Sequence, residues 1–60
     1  MKKLREIRKA RGLSVANLSD KSGVSVSYLH NLENGHKNNP TLTTLVSLTK
    51  ALNCKMEDLY

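Results

Sequence analysis

Gly12, Gly23 and Gly35 divide this 60-residue chain at near-regular intervals, and Pro40 adds a break soon after the third. Ser14 and Ser25 each follow a glycine by two residues, and Thr41 follows the proline directly. Glycine is favoured just past a helix end, where the chain turns left-handed. Serine and threonine are favoured just before a helix start, where the side-chain oxygen accepts from an unpaired backbone N–H. The alternation of stop and start signals cuts the chain into five short helices.

Helix 1 is expected over residues 2–11, with Leu4, Ile7 and Arg8 at helical spacing and Gly12 ending it. Ser14 caps a second helix over 15–22, with Leu18 as its main buried side chain. After Gly23, Ser25 caps a third over 26–34, closed by Asn34 and Gly35. The stretch "HKNNP" reads as a loop. Thr41 caps a fourth over 42–52, with Leu42, Leu45, Val46, Leu48 and Leu52 in helical register, and Asn53 can take the left-handed exit. A last turn near 56–60 should return Met56 and Leu59 to the core, although Lys55 is a poor cap for it. Tyr60 and Met56 read as core filler or as a dimer surface.

A chain of this size builds one domain and needs an economical core. A single cysteine, Cys54, excludes an internal disulfide, points to a reducing compartment and reads as inert. Cys54 with His30 and His36 does not make a four-ligand zinc site. No apolar run reaches the roughly 20 residues a membrane span requires, and the basic start lacks the apolar segment of a signal peptide. A soluble, cytoplasmic, leucine-packed helical protein is expected. The net charge is +5, and six of the ten basic residues lie in the first eleven positions. Such a surface suits a polyanion, most often nucleic acid, but is also what a merely solvated helix carries.

Helix 3 is the informative one. At about 100° per residue, Leu29, Leu32 and Val26 share a side, opposite Ser27, Asn31 and Asn34, with His30 beside them. An idle solvated face usually carries lysine and glutamate. This one carries uncharged donors and acceptors of the kind that meet base edges, asparagine with adenine above all. Glu33 points toward the buried side, where a carboxylate needs a partner. Arg8, on the same side of helix 1 as Leu4 and Ile7, is that partner: an ion pair between them would lock helix 1 to helix 3.

The stretch "GLSVANLSDKSGVSVSYLHNLENG", residues 12 to 35, resembles the helix-turn-helix of the Cro and phage-repressor (XRE) family. Leu13, Ser14, Leu18, Gly23, Val24, Ser25, Tyr28, Leu29, Leu32, Glu33, Asn34 and Gly35 fall on its pattern. "NNPTLTTL" and "ALNCKMEDLY" are similar to the segments that close the family's domain. The resemblance implies an all-α, five-helix, lambda-repressor-like domain over residues 1–60, with the helix-turn-helix at about 14–34. It further implies a transcriptional regulator that binds double-stranded DNA, as a homodimer on a palindrome, with helix 3 in the major groove.

Carried over residue by residue, the resemblance places Val26, Ser27 and Asn31 against base edges, with His30 beside them. Phosphate contacts fall at Ser14, Val15 and Ala16, at Asn34, and in the loop from His36 through Lys37 and Asn38 to Asn39. Ser25 and Tyr28 join the phosphate candidates, Tyr28 by packing against helix 2 with its hydroxyl near a phosphate, although it reads more readily as core. The opening of helix 4 at Thr41 and Leu42 suits a phosphate through its backbone amides. The family's arginine–glutamate pair is similar to Arg8–Glu33. Two positions depart from the pattern: Val15 replaces a frequent glutamine, and Val26 stands where a polar base reader is common.

No metal constellation, phosphate-cradling glycine loop or nucleophile–base set is present in the sequence, so no enzyme, cofactor or small-molecule ligand is expected. The expectation is a compact repressor with no sensor domain. The rival is a protein–protein adaptor or antitoxin-type module built on the same fold.

Overall fold

The computed structural model describes residues 1–36 and 40–60. Among them are four α-helices: α1 (Lys2–Ala10), α2 (Val15–Ser22), α3 (Val26–Glu33) and α4 (Leu42–Leu52). A 3-10 turn, Met56–Leu59, follows α4. The fifth helix expected from sequence is therefore only this turn. Four residues suffice to bring Leu59 home, and 3-10 geometry is common in such short pieces.

The cap signals act as expected. Ser14, Ser25 and Thr41 are extended, and each accepts a hydrogen bond from the backbone N–H three residues on, at 3.0, 3.2 and 3.2 Å. The first is a full capping box, because Asn17 Oδ1 also accepts from the Ser14 N–H at 3.3 Å. Helix α1 closes one residue earlier than expected, with Arg11 as its C-cap, and α3 hands its C-cap to Asn34. Asn53 takes the left-handed exit of α4 at φ 51°, and the Cys54 N–H closes the turn on Thr49 O at 3.1 Å. At the last turn Lys55 supplies no cap. The Asp58 carboxylate does that work from inside, accepting from the Lys55 N–H at 3.0 Å.

Seven leucines from every element are fully buried: Leu4, Leu18, Leu29, Leu32, Leu48, Leu52 and Leu59. Met1 and Val24 complete this core, and Ile7, Leu13, Val15, Tyr28 and Leu45 pack against it. Helix α1 packs on α3 and on the 3-10 turn, while α2 packs on α3 and α4. Helix α3 thus lies between α1 and α2, held along its apolar side. Two expected core positions are not buried. Leu42, in the first turn of α4, is 67% exposed; Met56, opening the 3-10 turn, is also exposed, as is Tyr60.

Candidate nucleic-acid interface

The turn between α2 and α3 determines how α3 is presented. Gly23 sits at φ 76°, and its N–H donates to Ser19 O at 2.8 Å. A left-handed residue at this point lets the chain reverse without a Cβ penalty. Val24 then drops into the core as Ser25 starts α3. The Ser22 hydroxyl donates to Leu18 O at 2.7 Å and accepts from the Val24 N–H at 3.2 Å, so the turn's own polar groups are satisfied.

On α3 the inward side is Leu29, Leu32 and Glu33, all buried. Glu33 is the pivot of the interface with α1, and its side chain is 1% exposed. Arg8 Nε donates to Oε2 at 2.7 Å, and Arg8 Nη2 donates to Oε1 at 3.0 Å, a two-pronged guanidinium–carboxylate pair. Arg8 Nη1 meanwhile donates to Leu13 O at 2.9 Å, tying in the start of the α1–α2 link. Burial alone would push the Glu33 carboxyl up. The hydrogen bonds and charges of Arg8 and Arg5 outweigh it and hold the group below its ordinary range. The bond to Glu33 holds the Arg8 guanidinium above its own ordinary value, against the opposing effect of burial.

The expected Arg8–Glu33 pair is therefore present, but Glu33 has a second partner that the sequence argument did not supply. Arg5 Nε donates to Glu33 Oε1 at 3.2 Å, and Arg5 Nη2 donates to Asn34 Oδ1 at 2.6 Å. Arg5 lies one turn before Arg8 on α1, so their shared face is a signal available from spacing alone. Arg11 is likewise engaged, donating from Nε to Leu52 O at the end of α4, at 2.9 Å. The three arginines of the basic N-terminal segment are all structural donors; Lys2, Lys3 and Lys9 are exposed.

The outward side of α3 is of another character. Val26 is 40% exposed, Ser27 and His30 are exposed, and Asn31 is half-buried beside them. Side-chain hydrogen bonds around this helix involve its cap Ser25, Glu33 and Asn34. Among the described residues none reaches the side chains of Ser27, His30 or Asn31. These four positions are brought together as one contiguous surface of mixed donors, acceptors and one isopropyl group.

Residues 4–59 match the helix-turn-helix family. The chain belongs to the XRE-type helix-turn-helix family. It is similar to the HTH-type transcriptional regulator DdrOP3 of Deinococcus deserti, at 40% identity over 57 residues, covering 95% of this chain and 43% of that protein. It is 35% identical over 57 residues to the regulator SlrR of Bacillus subtilis, covering 95% of this chain and 38% of that relative. The chain thus spans about half or less of the length of the curated relatives it matches. Its fold is similar to the restriction-modification controller protein C.AhdI from Aeromonas hydrophila, with TM-score 0.88 and 36% identity, covering 98% of this chain and 88% of that one.

In this member of the XRE-type family most of the remaining sequence candidates lie at helix openings. Ser14 spends its hydroxyl on its own helix: Oγ accepts from the Asn17 N–H and donates to Asn17 Oδ1 at 2.8 Å. What α2 offers outward is the backbone N–H groups of Val15 and Ala16, which have no carbonyl one turn earlier to meet. The Val15 side chain is half-buried against the core, so it fills space where the family's glutamine would reach out. Ser25 is exposed and caps α3; Tyr28 is half-buried and packs on the core, in agreement with its reading as core. Thr41 caps α4 and donates from Oγ1 to Thr44 Oγ1 at 3.0 Å. His36 is exposed, and its N–H donates to Asn31 O at 2.9 Å. Lys37 and Asn38, together with Asn39, lie outside the described residues.

Proposed function

We propose that this chain is a sequence-specific, double-stranded DNA-binding domain of a transcriptional regulator, acting as a repressor. In this reading α3 enters the major groove, Val26, Ser27, His30 and Asn31 meet base edges, and a homodimer spans a palindromic operator. The observation that carries it is the outward face of α3. A buried ion-pair network and a capped turn hold the helix firmly, yet its hydrogen-bonding side chains are left for an external partner. Asn31 suits adenine, Ser27 several bases, and Val26 a thymine methyl.

The phosphate set in this reading is the N–H groups at Ser14, Val15 and Ala16, with Ser25, Tyr28, Asn34, His36, Lys37, Asn38 and Thr41. The open amides of α2 and α4 support it, because a helix N-terminus attracts an anion. The exposed lysines of α1 add long-range attraction. Exposed apolar surface at Leu42 and Tyr60 supports self-association. Among the described residues no helix is long and apolar enough to cross a membrane, in keeping with a regulator that works where the DNA is, in the cytoplasm.

The test is selection of bound duplexes from a random DNA pool at moderate salt, followed by sequencing. Enrichment of a palindrome with half-sites about 10 base pairs apart is expected. Affinity for it should fall steeply with salt, with a log–log slope near −0.9 per phosphate contact. Retention without enrichment would overturn the base-reading assignment. No retained DNA at all would favour a protein–protein adaptor.

A further inference from the structure

Among the described residues, Arg5 makes a side-chain contact that joins the internal ion-pair network to the exposed Asn34. Its Nε is aimed by Glu33 Oε1 at 3.2 Å, and its Nη2 meets Asn34 Oδ1 at 2.6 Å. Glu33 cannot easily move, because Arg8 grips both its oxygens at 2.7 and 3.0 Å and is itself tied to Leu13 O. The fork of Arg5 is therefore held at one prong and presents the other to Asn34, which stands exposed at the C-cap of α3.

An exposed asparagine presents two chemically opposite ends, an acceptor oxygen and an N–H₂ donor pair. An anion accepts only from the donors. With Oδ1 occupied by the Arg5 guanidinium, the end that would repel a phosphate is taken, and the donor pair is the end left to meet one. A lysine could keep the charge at position 5, but its single ammonium lacks the planar fork that satisfies a carboxylate and an amide oxygen together.

We infer that Arg5 is a positioning residue for phosphate binding, acting through the side-chain amide of Asn34. This inference rests on the DNA-binding reading above. Asn34 is the group that touches the phosphate, and Arg5 fixes which end of it does so. Because the contact is to the backbone of the duplex, it acts on every sequence alike, unlike the contacts of Ser27 and Asn31.

The experiment compares wild type, Arg5→Lys, Asn34→Ala and the double variant. The probes are the duplex enriched by wild type from the random pool and a mixed-sequence duplex of the same length. Arg5→Lys and Asn34→Ala should each weaken binding to both duplexes about fivefold, the scale of one hydrogen bond. The double variant should bind no more weakly than Asn34→Ala alone. Without DNA, the two side-chain amide proton signals of Asn34 should move toward their free-peptide positions in Arg5→Lys, while the melting temperature stays close to wild type. Independent, multiplying losses of affinity, or unmoved Asn34 signals, overturn the inference while leaving DNA binding intact. Failure of wild type to bind either duplex overturns the DNA reading itself, and the inference with it.

Discussion

Glu33, near the end of α3, accepts two hydrogen bonds from Arg8 of α1, at 2.7 and 3.0 Å, in a site where the acid is 1% exposed and the arginine 10%. Removing one partner strands the other in a place water does not reach, which costs about 3–5 kcal/mol for a buried pair. A domain this small has few kcal/mol in total. Glu33→Gln is therefore expected to unfold much of the population at 25 °C. The double variant Arg8→Met with Glu33→Leu should be milder than Glu33→Gln, since no charge is stranded by Arg8. Urea titrations of the two variants check this; equal or greater loss in the double variant contradicts it.

The simple charge swap Arg8→Glu with Glu33→Arg should recover only part of the lost stability. Arg5 stays in place after the swap and meets a second guanidinium instead of a carboxylate. Full recovery in a double-mutant cycle would mean that Arg5 contributes nothing to the site.

Acid should weaken the fold through the same carboxylate. Its folded-state affinity for protons is held below the ordinary value of 4.5. A group of this kind contributes stability that is present above its unfolded pKa and is lost as pH falls through the lower, folded one. Melting temperature is therefore expected to be insensitive to Glu33 from neutral pH down to about pH 5, and to fall as the pH is lowered below the carboxyl's ordinary pKa of 4.5. Thermal melts from pH 7 to pH 2 measure it, and a stability that rises on acidification would reverse the sign of the argument.

Gly23→Ala should cost roughly 1–2 kcal/mol, the penalty for a Cβ in a left-handed residue. A Cβ there meets nothing within 4 Å, so the cost is backbone conformation and not collision. Gly23→Asn should cost less, because asparagine tolerates this region better. Denaturant midpoints order the three proteins; Ala above Asn would refute the conformational account.

Ser27→Ala and Asn31→Ala should leave folding within about 0.5 kcal/mol of wild type, since neither side chain holds another part of the described structure. Each should relax sequence preference at the positions it reads, by about 1–3 kcal/mol per lost base contact, while binding to mixed-sequence DNA changes little. Repeating the duplex selection with each variant is the check. An unchanged enriched motif in both would move the reading surface elsewhere.

Leu42→Glu tests self-association. The side chain is 67% exposed, so the substitution leaves the core alone, and its direct effect on monomer stability should be within about 0.5 kcal/mol. A shift toward monomer in sedimentation equilibrium is expected. If the variant remains as associated as wild type, Leu42 lies outside the proposed dimer contact.

The parts of this fold that sequence discloses are those governed by local chemistry. Ser14, Ser25 and Thr41 each announce a helix because the group they satisfy is three residues away, and the cap bonds are all present. The Arg8–Glu33 pair is legible because an acid on an apolar stripe demands a cation. Arg5 is harder to see: one partner already answers the demand, and only the geometry shows that Glu33 has an oxygen with room for another donor. Asn17 completing the Ser14 cap and Asp58 capping the last turn depend on short side chains folding back, which periodicity does not register. Periodicity also places Leu42 and Met56 on the core side, but both are the first residue of their helical segment and both are exposed. The outward face of α3 is plain on a helical wheel at Ser27 and Asn31, but the wheel sets Val26 with the leucines, and its 40% exposure is seen only in the fold.

Helix α3 keeps two inventories of side chains that do not overlap: Leu29, Leu32 and Glu33 answer to the rest of the domain, while Ser27, His30 and Asn31 answer to none of its described residues. Mutation can therefore rewrite the second set without disturbing the first. Under the proposed reading, a lineage carrying this scaffold could explore new operators one substitution at a time, with each intermediate still folded, so that recognition drifts on a neutral background of stability.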